Sequence, residues 1–587
     1  MRLAFVNKDH CKAGVDCPYI CIDVCPVNRS GGECIIKTED GKVLIQEELC
    51  IGCGICVKRC PFKAISIFNV PEELTQRPIH RYGKNGFILY NLPIPLFNRV
   101  VGVLGVNGIG KSTAVKILAK VLIPNLGGDK EASFDELLEF FKGSEAQSFF
   151  EKLRNDEIKL SYKPQSIDLL PKVYDGKVMD LLKRVSNDED RINRIINEFS
   201  LGKILNRNIK DLSGGELQRL AIAATTLKKA QLYIFDEPTS YLDIKQRIKV
   251  AKLIRQIPKE DVGVLTVEHD LIILDYMTDL VSIMFGKPGC YGIVAMPKTT
   301  RQGINEYLQG FLVEENMRIR EKPILFFEKP PAQLERTEEL TSWNNITKKL
   351  DGFELKAESG VLFKNQVVGV LGENGIGKTT FIKILAGIIR PDSGHIKKVK
   401  VAYKPQYLNE TIMNNEKDLV MNFLHEAIKN YNVELIRPLN IQPLFTKKLD
   451  ELSGGELQRV LIAKALSEDA ELYLLDEPSA YLDVDQRVIV AKVIRDFIEK
   501  NKKTALVVDH DLLFIDMISE LLLIFDGEPA VRGFVKGPLS MHDGMNYFLK
   551  KLGITLRRDL ETKRPRINKE ESRKDREQKK KGEYYYA

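Results

Sequence analysis

The stretch GVNGIGKS (Gly105–Ser112) returns almost unchanged as GENGIGKT (Gly372–Thr379), and each copy is followed by its own LSGGELQR, from Leu212 and from Leu452. A glycine-rich turn that leaves an apolar strand (Val100–Leu104; Val367–Leu371) and opens a helix commits the chain to a parallel α/β sheet. Two copies commit it to two such sheets. Lys111 to Lys378 is 267 residues, whereas Ser213 to Ser453 and Glu237 to Glu477 are each 240, and His269 to His510 is 241. The repeat is rigid from the middle of each half onward, and about 26 extra residues precede the first YKPQ (Tyr162) relative to the second (Tyr403). That insert falls within 128–155. Its core, FDELLEFFKGSEAQSFFEKL, has apolar residues at helical spacing on both sides of Lys142-Gly143-Ser144, which predicts a helical hairpin projecting from the first lobe. Only one copy has it, so the lobes are expected to do different mechanical work.

The repeated turns carry phosphate chemistry. Gly105, Gly108 and Gly110, like Gly372, Gly375 and Gly377, let the backbone wrap so that N–H groups point inward. Lys111 and Lys378 reach β- and γ-phosphates, and the hydroxyls of Ser112 and Thr379 can hold Mg²⁺. Further on, YIFDEP and YLLDEP run apolar strands into Asp–Glu pairs. Asp236 and Asp476 are placed to bind Mg²⁺ through water, and Glu237 and Glu477 to polarise an attacking water. Gln165 and Gln406 are placed to sense Mg²⁺ and the γ-phosphate.

Nine of the ten cysteines lie in the first 60 residues. No signal-peptide pattern opens the chain, no apolar run is long enough to span a bilayer, and a reducing, cytoplasmic setting favours ligation over disulfides. The first group is Cys11-x5-Cys17-x3-Cys21-x3-Cys25-Pro; the second is Cys50-x2-Cys53-x2-Cys56-x3-Cys60-Pro. The second is the bacterial ferredoxin run, whose fourth cysteine serves the other cluster when two are present. The expected assignment is Cys11, Cys17, Cys21 and Cys60 on one [4Fe–4S], and Cys50, Cys53, Cys56 and Cys25 on the other. Structural zinc seldom uses this run. Cys34 is a spare thiol, and Cys290 a packing residue.

Net charge is +7, and residues 556–587 hold twelve Lys/Arg against seven Asp/Glu. This tail is read either as an RNA-backbone contact or as a solvated, partly disordered segment.

Together with LSGGELQR, the phosphate loops and the Asp–Glu strands resemble the ATP-binding-cassette (ABC) superfamily over about 450 residues. The resemblance implies that Ser213, Gly214, Gly215 and Glu216 of one lobe, and Ser453, Gly454, Gly455 and Glu456 of the other, cap the ATP held by the opposite phosphate loop. Asn107 and Thr113, with Asn374 and Thr380, complete the nucleotide contacts. Asp243 and Asp483, in SYLD and AYLD, match the loop along the lobe seam. His269 and His510, in VEHD and VDHD, match a switch histidine on the γ-phosphate. Tyr82 or Phe87, and Phe353, are candidates for stacking on adenine.

The whole arrangement resembles the E subfamily of ABC proteins, also called the RNase L inhibitor family, on the segments CPVNR, CIGCGICVKRCPF and HRYGKNGF and on the insert. That resemblance implies an ATP-driven ribosome recycling factor. It would bind the small subunit and ribosomal RNA beside a class-I release factor or a Pelota-type factor, close on ATP, part the subunits, and then meet initiation factors. A monomer without a membrane partner is expected. Lobe closure would swing the cluster domain against the release factor. Lys142, Lys152, Arg301, Arg318 and Arg320 are candidate RNA contacts. Rival readings are ATP-coupled electron delivery through the clusters, a DNA-repair ABC ATPase and an orphan transporter ATPase; the last leaves the cysteines unexplained. The fold expected is α/β: two tandem ABC-type nucleotide-binding domains (76–300 and 341–540) behind an α+β ferredoxin-like two-cluster domain (1–75). A connector (301–340) joins the lobes, and a hinge segment with the basic tail (541–587) closes the chain.

Overall fold

The computed structural model describes residues 2–69, 77–326, 338–350, 352–406 and 417–586. The expected boundary at 75/76 and residues 327–337 of the expected connector lie outside them.

Each lobe is built on a sheet whose central strands are parallel and buried on both faces. In the first lobe Leu280–Lys287, Val100–Leu104, Gly263–Val267, Leu232–Asp236 and Leu160–Lys163 run side by side in that order. Val100–Leu104, Gly263–Val267 and Leu232–Asp236 are buried at every position. That explains their unbroken apolar sequences, because helices cover both faces of such a sheet. The second lobe repeats the order with Leu521–Glu528, Gln366–Leu371, Thr504–Val508, Leu472–Asp476 and Val401–Lys404. The phosphate loops, the Asp–Glu turns and the switch histidines sit at the carboxyl ends of these strands, where open α/β sheets place ligands.

The insert forms the hairpin its spacing predicts, with helices Phe134–Phe140 and Glu145–Arg154. Ser133 and Glu136 form a reciprocal capping box, an arrangement stabilising by about 1 kcal/mol. Phe141 stacks on Phe150 at 4.9 Å, and Leu137, Phe149 and Leu153 join the lobe's own core. The hairpin therefore packs onto the lobe along an apolar face and presents its polar face outward.

The N-terminal domain pairs Arg2–Val6 with Ile65–Asn69 and carries a hairpin of Ile35–Lys37 with Val43–Ile45. Two five-residue helices, Ile20–Val24 and Ile55–Arg59, end at Cys25 and Cys60, each followed by proline. The domain is tied to the first lobe by Asn85, whose side chain bonds Ala4 O and Ile45 O at 3.0 Å each, and by Arg81–Glu47 at 2.8 Å.

The C-terminal segment is ordered and clamped. Hairpin strands Leu556–Arg558 and Pro565–Ile567 precede a helix, Arg573–Lys581. Arg564, wholly buried, meets Asp275 of the first lobe at 3.1 Å, and Arg566 grips the same carboxylate with both nitrogens at 2.6 and 3.0 Å. At the other end Tyr585 and Tyr586 donate to Asp516 of the second lobe. Arg564 and Arg566 thus answer an internal carboxylate and this hairpin is not a solvated tail, whereas Arg573, Lys574, Arg576 and Lys580 of the helix stay exposed. Two RNA candidates also make ion pairs within the chain. Arg301 bonds Asp559 at 2.9 Å, and Arg320 bonds Asp485 at 2.6 Å, bracing the hinge. Lys152 lies over the Phe97 ring, whereas Lys142 and Arg318 stay exposed.

Burial acts to raise the Asp559 carboxyl, but the N–H groups of Thr562 and Glu561, with Asn305 and Arg301, overcome it and hold the group well below the ordinary carboxylate range. A carboxyl depressed on folding contributes stability that is present above its unfolded pKa of about 4 and lost as pH falls below it. Amide exchange in residues 556–567 should therefore accelerate, beyond its intrinsic pH dependence, between pH 5 and pH 3 (on the order of those values,), and less so in Asp559→Asn.

Candidate functional site

Both phosphate loops adopt the wrapped form. Gly110 and Gly377, at φ 95° and 93°, start the helices Lys111–Leu118 and Lys378–Leu385 in a left-handed conformation that side chains resist. A Cβ at these glycines would also lie 2.6 Å from Phe87 Cζ and 2.9 Å from Phe353 Cζ. The two phenylalanines therefore buttress the loops from beside them. Tyr82, by contrast, is exposed, with its hydroxyl 3.3 Å from Thr113 Oγ1. Lys111 Nζ is gathered inward by the carbonyls of Gly105 and Val106 at 2.8 Å each, and burial pushes the ammonium down to about 8. Lys378 repeats the arrangement on Gly372 and Glu373.

Opposite each loop stands a carboxylate dyad. Gln165 Nε2 donates to Glu237 Oε1 at 2.8 Å and Gln406 Nε2 to Glu477 Oε1 at 2.7 Å; His269 and His510 Nε2 stand 3.4 and 3.5 Å from the same oxygens. Both glutamates hold positive φ, 49° and 48°. Such strain costs on the order of 1–3 kcal/mol and persists only where surroundings over-determine it. Thr379 Oγ1 lies 3.1 Å from Asp476 Oδ2. Asp236 Oδ2 is buried without a hydrogen-bond partner among the described residues, and burial beside Glu237 raises its carboxyl to about 6. A hydrated divalent cation held by Ser112, Gln165 and Asp236 would serve that orphan oxygen, so the donor set fits Mg²⁺.

The electrostatic settings of the two glutamates differ. Burial beside Asp476 and Asp509 lifts Glu477 to about 7. At Glu237 burial acts the same way, but the nearby His269 and the charge of Lys111 outweigh it and hold the group at about 2.

The sites are completed across the seam. Asp483 Oδ2 accepts from Asn107 N at 2.9 Å, and Asp243 Oδ2 accepts from Asn374 N at 3.0 Å. Lys245 adds an ion pair to Glu373 at 3.0 Å. Each signature helix starts at a capping box, Ser213–Glu216 and Ser453–Glu456. Gly214 and Gly454 pack against Tyr241 and Tyr481, two residues before the seam aspartates. The signature helix of one lobe thus arrives at the other lobe's loop together with that aspartate.

Two pairs escaped the sequence reading. Lys163 and Lys404, almost fully buried, donate to the carbonyls of Asp236 and Asp476 at 2.8 Å each. Gln218 and Gln458 donate to the carbonyls of Glu237 and Glu477 at 2.8 and 2.7 Å. These four hold the backbone of the Asp–Glu turns. The duplication of YKPQ and LSGGELQR was the available signal, since both residues recur in register.

Two buried thiols have other cysteines as their electrostatic neighbours. Cys21, pushed up to about 12 by burial, has Cys60, Cys11 and Cys17 as its charged neighbours. Cys56, pushed up to about 11, has Cys50, Cys53 and Cys25. Cys60 is thus a neighbour of Cys21, and Cys25 a neighbour of Cys56. Among the described residues no three or more His, Cys, Asp or Glu side chains are drawn together as metal ligands. Eight soft thiols in the two expected quartets fit iron–sulfur cores in their chemistry. Cys34 is buried, and its thiol donates to Gln46 O at 3.9 Å. Among the described residues no helix is long and apolar enough to cross a membrane.

The family model described as ABC transporter matches residues 97–240 and 355–480, and the 4Fe-4S binding domain matches 43–66. The fold and these sites define a tandem ABC-type ATPase that binds nucleotide in two lobes and carries an N-terminal 4Fe-4S domain. Along 100% of its length the chain is 50% identical to an uncharacterized ABC transporter ATP-binding protein of Methanocaldococcus jannaschii and 44% identical to ABC transporter E family member 1 of Arabidopsis thaliana, covering 98% of each. It is 42% identical over 100% of its length, and 98% of the other's, to the translation initiation factor RLI1 of Saccharomyces cerevisiae. The chain belongs to the ABC transporter E family. Among solved structures it is similar, at 50% identity and TM-score 0.92 over 100% of this chain and 99% of the other, to a model of ribosome-bound archaeal Pelota and ABCE1. It is also similar, at 50% identity and TM-score 0.82 over 87% of this chain and 99% of that one, to the archaeal ribosome recycling factor in complex with the ribosomal stalk protein aP1.

Proposed function

We propose that this chain is a cytoplasmic ribosome recycling factor, working as a monomer with a Pelota-type or class-I release factor, and that ATP-driven closure of its lobes parts the ribosomal subunits. The observation that carries the reading is the likeness of the whole chain, cluster domain included, to the ribosome-bound Pelota and ABCE1 structure. Retention on the small subunit and contact with initiation factors belong to the same reading, supported by the yeast relative's description as a translation initiation factor.

In this reading the residues divide the work as follows. The loop backbones with Lys111 and Lys378 bind the phosphates, and Tyr82 is the exposed ring that stacks on the first adenine. Ser112, Gln165 and Asp236, with Thr379, Gln406 and Asp476, hold Mg²⁺, which supplies charge neutralisation on the phosphate oxygens. Glu237 and Glu477 orient and polarise water, and His269 and His510 face the γ-phosphate. Because each site takes Asp243 or Asp483, and with it Ser213 or Ser453, from the other lobe, ATP joins the lobes and phosphate release lets them part.

Two [4Fe–4S] clusters fit the two quartets and supply a compact core for the N-terminal domain. Purified anaerobically, the protein should carry about eight irons per chain. Cys53→Ala should reduce iron toward about half while the chain remains folded by circular dichroism. Eight irons retained in Cys53→Ala would contradict the quartet assignment.

The function itself is tested by sedimenting ribosomes through sucrose after incubation with the protein, a Pelota-type factor and ATP. Conversion to free subunits that requires nucleotide and factor supports the proposal. Intact ribosomes in a mixture that hydrolyses ATP overturn it.

A further inference from the structure

In each lobe one arginine stands between the aspartate that closes the opposite site and the histidine that serves the lobe's own site. Asp243 Oδ2 accepts from Asn374 N of the second lobe's phosphate loop. Its other oxygen caps the helix Ile244–Arg255 by accepting from Gln246 N at 2.9 Å. One turn into that helix, Arg247 Nε donates back to Leu242 O at 2.8 Å, and Nη1 donates to Asp270 Oδ2 at 3.2 Å. Asp270 directly follows His269 and caps the helix Leu271–Met277 with its remaining oxygen, which accepts from Ile272 N and Ile273 N at 3.0 and 3.1 Å. His269 Nε2 in turn stands 3.4 Å from Glu237 Oε1. The second lobe repeats every step. Asp483 accepts from Asn107 N, and Arg487 donates to Leu482 O at 2.9 Å and to Asp511 Oδ2 at 2.6 Å. Asp511 caps Leu512–Ile518, and His510 lies 3.5 Å from Glu477. Both ion pairs are shielded: arginine and aspartate side chains are 15% and 5% exposed in the first lobe, 16% and 3% in the second. An exposed pair would contribute little, whereas a shielded, planar guanidinium with two fixed acceptors holds both in one geometry.

We propose that Arg247 and Arg487 are positioning residues that carry the state of one ATP site to the switch histidine of the other. When Asp243 seats on the Lys378 loop, Arg247 draws Asp270, and with it His269, into place against Glu237 in the Lys111 site. Arg487 does the same in the opposite direction, from Asp483 on the Lys111 loop to His510 beside Glu477. Each arginine acts through an aspartate and a histidine. The links are crossed, so the Lys111 site senses its neighbour through Arg247 and the Lys378 site senses its neighbour through Arg487. This inference rests on the ATPase assignment and is indifferent to what the closing lobes act upon.

The test uses the full-length holoprotein without ribosomes and measures phosphate release at one site with the other filled or empty. Glu477→Gln keeps ATP on the Lys378 loop while the Lys111 site turns over, and Lys378→Ala leaves that loop unloaded. The ratio of the two rates is the dependence of the Lys111 site on its neighbour; Glu237→Gln and Lys111→Ala give the reverse ratio. Coupled sites typically differ by about fivefold or more. Arg247→Lys keeps the charge but offers one nitrogen to two acceptors. It should bring the first ratio to one and leave the second unchanged, and Arg487→Lys should do the opposite. Asp270→Asn keeps the helix cap and removes the charge that Arg247 meets, so it should match Arg247→Lys. It breaks the same link from the other end if thermal unfolding shows that the lysine damages the fold. A first ratio retained in both Arg247→Lys and Asp270→Asn would overturn the relay, even if the rates themselves fell, because a local brace slows hydrolysis whether the neighbour is filled or empty. Loss of both ratios in one variant, or ratios of one before any relay residue is changed, would overturn it as well. No hydrolysis in the unsubstituted protein would overturn the ATPase assignment and the relay with it.

Discussion

Glu237→Gln and Glu477→Gln should each lower hydrolysis at their own site by on the order of a hundredfold or more, the scale of a lost general base, while leaving ATP binding intact. The amide keeps the shape of the side chain and can still meet Gln165 or Gln406, but it cannot draw a proton from water. Because each site is closed by the opposite lobe's aspartate through Asn107 or Asn374, an unhydrolysed ATP should hold the seam shut. Such variants are expected to accumulate with nucleotide trapped. The consequences for total turnover should differ between them, since the two carboxylates lie in different electrostatic settings and only the first lobe carries the hairpin. The check is single-turnover hydrolysis of radiolabelled ATP, followed by gel filtration to count retained nucleotide. Full-rate hydrolysis in both variants would remove these glutamates from the mechanism.

The second large effect is expected at the C-terminal segment. Asp275 is the common acceptor for Arg564 and Arg566. Arg564 is wholly buried, and its Nε and Nη2 already lack partners among the described residues. Asp275→Ala would leave that guanidinium with no carboxylate in reach of its one remaining bond. Removing one partner of a buried pair typically costs about 3–5 kcal/mol. The loss should fall on the docking of residues 553–587 to the first lobe, because the anchors on the second lobe, Asp516 with Tyr585 and Tyr586, are untouched. Hydrogen exchange should show lost protection in the hairpin Leu556–Ile567 and retained protection in the Val100–Leu104 strand. If hairpin protection survives, the arginines are not what holds the segment.

What was legible in the sequence was what is local or repeated. Phosphate loops, Asp–Glu strands and seam aspartates are each set by a few adjacent residues, and duplication made their order unmistakable. The ferredoxin run was legible because its cysteines stand at short fixed spacing, and the 4Fe-4S binding domain model matches it. What was not legible depends on distant partners. Arg301 and Arg320 look like surface cations until Asp559 and Asp485, 258 and 165 residues away, are seen beside them. The C-terminal segment looks like a free basic tail for the same reason: Arg564 and Arg566 count as net charge in the sequence, whereas in the fold they are matched against Asp275 and Asp559. Lys163 and Gln218 were passed over because a buried amine or amide serving a backbone carbonyl has no local signature. Their register in both halves was the only trace.

These features converge on one claim: binding of ATP, by joining lobes that complete each other's sites, is the motion that parts the ribosomal subunits. The most direct measurement is stopped-flow light scattering of ribosomes premixed with this protein and a Pelota-type factor, then mixed with ATP, a non-hydrolysable analogue or ADP. The account predicts a fall in scattering with ATP and with the analogue and none with ADP, with repeated rounds only where hydrolysis reopens the lobes. Unchanged scattering with ATP, while phosphate is released in the same cell, would contradict it.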